Sequence, residues 1–271
     1  MSPEELKALK VLAAQDNSEA QLNLGYAYYN GHGGAGLGAA VKWWRKAADQ
    51  GNAEAQLNLG TVCYNAVHRW ACSGTPFWSD EIEAVNWWRK AADQGNAEAQ
   101  LNLGNACYTV IYVYESCYSG VVGFWEDWGM TEDEVDAARW WRKAADQGNA
   151  EAQLKLGNAY LIGEAGVAKD QLEAVKWLCC AAAQGNAEAL DRLGRCHYFG
   201  EGVAKDEVEA YAYYSLAGEG AQRIFAMLES RMSPDVRLRG QQRAKELQKE
   251  IEAKRAGRVG GSTRSIRPLW L

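Results

Sequence analysis

Apolar positions recur at three- and four-residue spacing in short blocks, and a polar Gly-Asn pair separates the blocks. In one block Ala55, Leu59 and Val62 share a helical face; in another Ala84, Trp87 or Trp88, and Ala91 do the same. That spacing predicts two helices per unit, A and B. Gly51 directly follows a B helix and takes the left-handed position that ends it. Within helix A a glycine recurs at Gly25, Gly60, Gly104, Gly157 and Gly194. A mid-helix glycine costs about 1 kcal/mol relative to alanine. Its recurrence therefore predicts a close approach of another helix that leaves no room for a Cβ. One such hairpin cannot cover its own apolar face, so neighbouring units must stack.

The blocks are near copies. Residues 43–60 read WWRKAADQGNAEAQLNLG, residues 87–104 repeat them, and residues 140–157 differ only at Lys155. A looser copy runs from Trp177 to Gly194. The reference position falls at Asp16, Gly51, Gly95, Gly148, Gly185 and Gly220, at intervals of 35, 44, 53, 37 and 35 residues. Ahead of the first unit, Ser2 reads as a helix cap, Pro3 as the first helical residue, and Glu4 and Glu5 as acids at the positive end of the dipole. No apolar stretch of signal-peptide type follows Met1. Ser233-Pro234-Asp235 opens a late helix whose apolar side carries Leu247 and Ile251. The predicted fold is all-α. It is an α/α solenoid of about five hairpins over residues 16–220, with units starting near 16, 51, 95, 148 and 185. A capping helix over 1–15 precedes it; capping helices over 221–256 and a flexible basic tail over 257–271 follow.

Three motifs carry a family resemblance. Helix A holds Ala-Gln-x-x-Leu-Gly and helix B holds Ala-x-x-Trp-x-x-Lys-Ala-Ala. The turn between them reads Gly200-Glu201-Gly202-Val203-Ala204-Lys205-Asp206 in the fifth unit, and spans Gly163 to Asp170 with one extra residue in the fourth. In register over roughly residues 12–220, this pattern resembles the Sel1-like repeat, an α/α solenoid related to tetratricopeptide repeats. The resemblance implies a scaffold for protein–protein interaction, often bacterial and often exported. Some cysteine-bridged relatives have been linked to penicillin binding, and their bridge spacing is not found here.

Two units depart from the pattern. The intervals of 44 and 53 exceed a unit of about 36 residues by about 8 and 17. Both expansions fall between helix A and helix B, over residues 65–80 and 109–136, and there the Gly-x-Gly-Val turn is gone. The first unit instead carries a glycine-rich stretch over 31–38. Tyr, Trp, Ser and Gly dominate the inserts, as in antibody binding loops, where rigid aromatics supply contact area at low entropic cost. Equivalent places in adjacent units put the inserts on one edge. The candidate recognition residues are Trp70, Phe77 and Trp78 from the first insert, and Tyr112, Tyr114, Tyr118, Phe124, Trp125 and Trp128 from the second. Residues 105–138 hold seven acids and no Lys or Arg, which favours a protein ligand with a basic rim. The plainer alternative is that the inserts fold over the scaffold and extend its core. Val110 to Tyr114 reads equally as a strand or as a continuation of helix A.

Seven cysteines sharpen the picture. Aligning the units puts Tyr28, Cys63, Cys107, Tyr160 and His197 at one position, so only the two expanded units carry cysteine there. Each insert holds one more, Cys72 and Cys117. The expected bridges are Cys63–Cys72 and Cys107–Cys117, each tying an insert to its helix. Unpaired thiols and a Cys72–Cys117 bridge are the alternatives. Closing such short loops contributes roughly 2–3 kcal/mol. Bridges imply an oxidising compartment, periplasmic or secreted, with a cytoplasmic reduced form as the alternative. Among Cys179, Cys180 and Cys196, a Cys180–Cys196 bridge is favoured over a zinc site with His197, because adjacent helical residues point about 100° apart.

Composition adds exclusions. The net charge of −6 disfavours a uniformly basic nucleic-acid binder. Residues 231–271 nevertheless hold 11 Lys/Arg against 4 Asp/Glu, so the end is basic and the body acidic. No apolar run reaches the ~18 residues of a membrane span. Only His32, His68 and His197 are present, and no hydrolase, metalloprotease or phosphate-binding motif appears. Glu132 to Glu134 reads as the first turn of a B helix capped by Thr131. The sequence therefore points to a monomeric, non-enzymatic protein-binding scaffold without cofactor or metal, recognising its ligand through the inserts. The alternatives are an adaptor that binds through its concave helical face and an immunity-type inhibitor of a cognate toxin.

Overall fold

The computed structural model describes residues 1–70, 78–109, 137–218 and 221–259, with the side chains of 66–70, 78–81, 223 and 258–259 left aside. Among the described residues there are thirteen α-helices and no strand. A capping helix α1 (Pro3–Ala14) comes first. The A helices are α2 (Ser18–Tyr29), α4 (Ala53–Trp70), α6 (Ala97–Thr109), α8 (Ala150–Ile162) and α10 (Ala187–Phe199). They alternate with the B helices α3 (Gly36–Asp49), α5 (Trp78–Asp93), α7 (Ala137–Asp146), α9 (Gln171–Ala182) and α11 (Glu207–Leu216). Helices α12 (Gln222–Glu229) and α13 (Pro234–Val259) follow. The chain divides into two units, Met1–Ala137 and Ala138–Leu271. The first has its core around Leu24, Trp44, Leu59 and Trp87; the second around Leu178, Leu193, Tyr214, Leu247 and Ile251.

The predicted starts hold. Ser2 and Glu5 form a reciprocal capping box on α1, with Pro3 as its first residue. Ser233 Oγ accepts from the Val236 amide at 3.3 Å at the start of α13, and Leu247 and Ile251 are buried. Helix α13 runs on to Val259, so residues 257–259, expected in a flexible tail, are helical.

The Gly-Asn pair is a complete stop-and-start device. Gly51 sits at φ +89°, its amide donates to Ala48 O at 2.9 Å, and the Asn52 amide donates to Ala47 O at 3.1 Å. That is the Schellman arrangement, which satisfies two carbonyls at the helix end. Asn52 then caps the next helix, its Oδ1 accepting from the Ala55 amide at 2.9 Å. The same set recurs at Gly95-Asn96, Gly148-Asn149 and Gly185-Asn186. Asp16 takes the glycine's place at φ +57°.

The recurring helix A glycines are contact points, as the sequence requires. A Cβ built on Gly60 would lie 2.5 Å from Trp88 Cδ1 and 3.0 Å from Ala84 O. On Gly25 it would collide with the indole of Trp44; on Gly157 it would come within 2.8 Å of Leu178, and on Gly194 within 2.9 Å of the Tyr214 ring. The tryptophan pair thus divides its labour. The second member seats on the glycine of its own hairpin. The first carries a lysine over its face: Lys46 on Trp43 at 4.5 Å, Lys90 on Trp87 at 4.2 Å and Lys143 on Trp140 at 3.9 Å.

A buried glutamine relay links successive units. Gln56 Nε2 donates to Ala48 O at 3.1 Å, reaching the preceding B helix. Its Oε1 accepts from Gln94 Nε2 at 2.8 Å, at the end of its own B helix. Gln21 and Gln153 repeat both bonds. Each of these amides is nearly fully buried, so its pairing offsets the desolvation cost.

The first insert departs from expectation. Residues 65–70 extend α4 to 18 residues, and 78–80 open α5, so much of the stretch read as loop lengthens the two helices. The physical reason is local: NAVHRW holds no glycine or proline, and the breakers Gly74 and Pro76 come later. The second insert, 109–136, lies outside the described residues from 110 onward, as do the strand-or-helix question at Val110–Tyr114 and the cap at Thr131.

Candidate interaction surface

Exposed large apolar side chains in the repeat helices gather at one end of the hairpins, where helix A turns into helix B. Tyr29 ends α2 and Leu37 begins α3; they are 58% and 47% exposed. In the second unit Ile162 ends α8, Leu172 begins α9 and Phe199 ends α10, at 63%, 59% and 62%. Ile162 and Phe199 occupy equivalent positions, and Arg195 lies over the Phe199 ring at 5.9 Å. The A–B turn end is thus the apolar end of the described repeats, and both inserts leave from it.

The predicted recognition residues lie at this end so far as they are described. Trp70 is the last residue of α4 and Trp78 the first of α5. Phe77, Tyr112, Tyr114, Tyr118, Phe124, Trp125 and Trp128 lie outside the described residues, as do Cys72 and Cys117. Cys63 is half-buried on α4 and Cys107 is buried on α6.

The remaining cysteines correct one expectation. Cys196 is a buried thiol, so the Cys180–Cys196 bridge is not formed; its sulfur faces the core that holds Leu193 and Tyr214. Burial pushes the thiol up to about 11 at Cys196 and about 12 at Cys179, which makes both poor nucleophiles. Among the described residues no group of three or more His, Cys, Asp and Glu is placed to hold a metal, and no helix is long and apolar enough to cross a membrane. His197 stacks on Tyr213 with centroids 5.3 Å apart, and burial lowers its pKa.

The A helices offer a second, polar face. In the first unit Tyr26 donates to Glu54 Oε1 at 2.8 Å and accepts from Asn58 Nδ2 at 2.8 Å, joining α2 to α4. In the second unit the equivalent places hold Asn158, Glu188 and Arg192. There buried atoms of Asn158 (Oδ1), Asp191 (Oδ1) and Arg192 (Nε) have no hydrogen-bond partner. Sequence reasoning missed this face. Its signal was a single substitution: Asp191 stands where Leu22, Leu57, Leu101 and Leu154 stand in the other units.

Comparison with known proteins accords with this geometry. The chain is 29% identical to a protective antigen of uropathogenic Escherichia coli displaying an SLR fold, over 97% of this chain and 52% of that one, with a TM-score of 0.71. It therefore spans about half the length of that protein. A Sel1 repeat protein from Oxalobacter formigenes is 28% identical over 89% of this chain and 93% of its own, with a TM-score of 0.66. No curated protein matches the chain. The Sel1 repeat family matches residues 18–52, 53–66, 74–96, 122–149, 150–186 and 187–221, leaving internal gaps at 67–73 and 97–121 in the two expanded units. With well over half of the chain matched and the hairpins folded as that repeat requires, the chain belongs to the Sel1 repeat family.

Proposed function

We propose that this protein is a non-enzymatic binding scaffold that recognises a protein ligand at the A–B turn end of its hairpins, chiefly through the two inserts. The observation that carries the reading is the contrast along that end. The helices are near copies, yet the segments leaving them differ, and exposed apolar residues gather there even in units without inserts. Trp70, Phe77 and Trp78, with Tyr112, Tyr114, Tyr118, Phe124, Trp125 and Trp128, supply the aromatic anchors of such a surface. The seven acids over 105–138 select a ligand with a basic rim.

Disulfides stiffen the surface in this reading. Cys107 lies two residues before the end of α6, and a bridge to Cys117 would join residues ten positions apart in the sequence. Helix α4 continues to Trp70, about 10 Å along its axis beyond Cys63. A Cys63–Cys72 bridge therefore demands an immediate reversal after the helix.

The test replaces both inserts by the Gly200–Asp206 turn and compares cross-linked partners of the two proteins in cells of the source organism. Loss of the partners held by the parent protein supports the reading. Full retention by the trimmed protein, with its helicity unchanged, overturns it.

A further inference from the structure

The first unit begins with the capping helix α1 and the second ends with α12 and α13. A repeat array needs a polar outer face on its terminal helices to stay apart from its neighbours, and both caps break that face with apolar side chains. Among the described residues, the large apolar side chains exposed away from the A–B turn end all lie at the caps: Met1, Val11 and Leu12 at the first, Ile224, Met227 and Leu238 at the second. Helix α1 packs Leu6, Leu9 and Ala13 on its core. Ala8, Val11 and Leu12 fall on its other side by helical spacing and are exposed, Val11 by 54%.

The second cap is built the same way. Helix α13 buries Gly240, Ala244, Leu247 and Ile251, and Leu238 lies on its far side, 68% exposed. Helix α12 buries Leu228 and leaves Ile224 and Met227, one turn apart, on the surface. Tyr211 ties the two helices together. Its ring meets Phe225 edge-on with centroids 4.9 Å apart, its hydroxyl donates to Glu229 Oε1 at 3.0 Å, and a Cβ on Gly240 would lie 2.6 Å from the ring. Charge distinguishes the two units. Residues 1–137 hold 8 Lys/Arg against 18 Asp/Glu, and residues 138–271 hold 21 against 17, so the units carry net charges of −10 and +4.

We infer that copies of this chain associate head to tail, the outer face of α1 in one seating on the α12–α13 face of the next, in place of the monomer expected from the sequence. Apolar contact supplies the affinity, since exposed apolar faces of this kind mark association sites. Net charge supplies the orientation. Pairing α1 with α1 would set −10 against −10, and pairing α13 with α13 would set +4 against +4, whereas the mixed contact sets −10 against +4. Two unlike faces make a heterologous contact, which leaves one face free at each end, so association continues past the dimer. Neither insert takes part, so trimming the inserts leaves this contact in place.

Sedimentation velocity on the full chain, from micromolar to millimolar concentration, tests the contact. The weight-average mass of the parent is expected to rise with concentration beyond that of a dimer. It is expected to fall when salt is raised to about 1 M, which shortens the Debye length to about 3 Å. Val11→Arg and Met227→Arg each block one face at an exposed helical site, and each alone is expected to stay monomeric with unchanged circular dichroism. Leu238→Arg, on the other helix of the second cap, is expected to act as Met227→Arg does. Mixing Val11→Arg with Met227→Arg is expected to give a 1:1 dimer and nothing larger, because each partner keeps the face that the other has lost. A parent that stays monomeric overturns the inference, as does association undiminished in Val11→Arg or in both second-cap variants. A mixture that stays monomeric also overturns it, because the contact is then α1 on α1 or α13 on α13.

Discussion

Gly60→Ala is the sharpest test of how the hairpins pack. At an exposed helical site the change stabilises by about 1 kcal/mol, since alanine is the better helix former. At Gly60 the new methyl would stand 2.5 Å from Trp88 Cδ1, 2.6 Å from Trp88 Nε1 and 3.0 Å from Ala84 O. The last atom is backbone, so a turn of the indole alone does not make room, and α5 has to move off α4. Overpacking of this kind costs about 1–3 kcal/mol or more. The net expectation is a loss of up to about 2 kcal/mol, or up to about 4–8 °C in thermal midpoint for a chain of this size. Gly38→Ala in α3 is the control, because nothing lies within 4 Å of its would-be Cβ; its midpoint should rise by about 2–4 °C. Gly157→Ala should cost less than Gly60→Ala, because its nearest neighbours are Leu178 Cγ and Cδ2 at 2.8 and 2.9 Å, on a side chain that can shift. Melting followed by circular dichroism at one scan rate reads all three. If Gly60→Ala melts higher than the parent, as Gly38→Ala should, the close-approach argument is wrong.

Other predictions follow from particular contacts. Gln153→Leu removes bonds of 3.0 Å to Ala145 O and 2.7 Å from Gln184, so stability should fall by about 1–2 kcal/mol, read as a lower midpoint. His197 has its pKa lowered from 6.5 by burial, with Glu209 and Asp206 opposing and Arg243 reinforcing. Because the unfolded chain then binds the proton more readily, its contribution is fully present above about pH 6.5 and is lost as pH falls through the folded value. His197→Phe should flatten that part of the stability–pH curve, and an unchanged slope refutes the assignment. Alkylation in denaturant without reductant should leave Cys63, Cys72, Cys107 and Cys117 unlabelled if both proposed bridges stand; an intact mass showing seven labels sinks them.

The repeated helices were legible because their signals are local and recur. Helical spacing, the Gly-Asn stop and start, the Ser2 cap and the mid-helix glycine are each decided within one unit, and several copies in register multiply the signal. Most tryptophans were also separable by register, into helix B positions and insert positions. Tertiary structure alone decided which tryptophan of each pair meets the glycine, since Trp87 and Trp88 differ in partners rather than in local pattern. It decided the glutamine relay, because Gln56 bonds Ala48 and Gln94, each in a neighbouring helix. It also lengthened α4 and α5 into the first insert and left Cys196 a buried thiol. Asp191 shows the same limit: its letter was in the sequence, but that its buried Oδ1 meets no hydrogen-bond donor while Arg192 and Arg195 act on it by charge is set by how α10 packs.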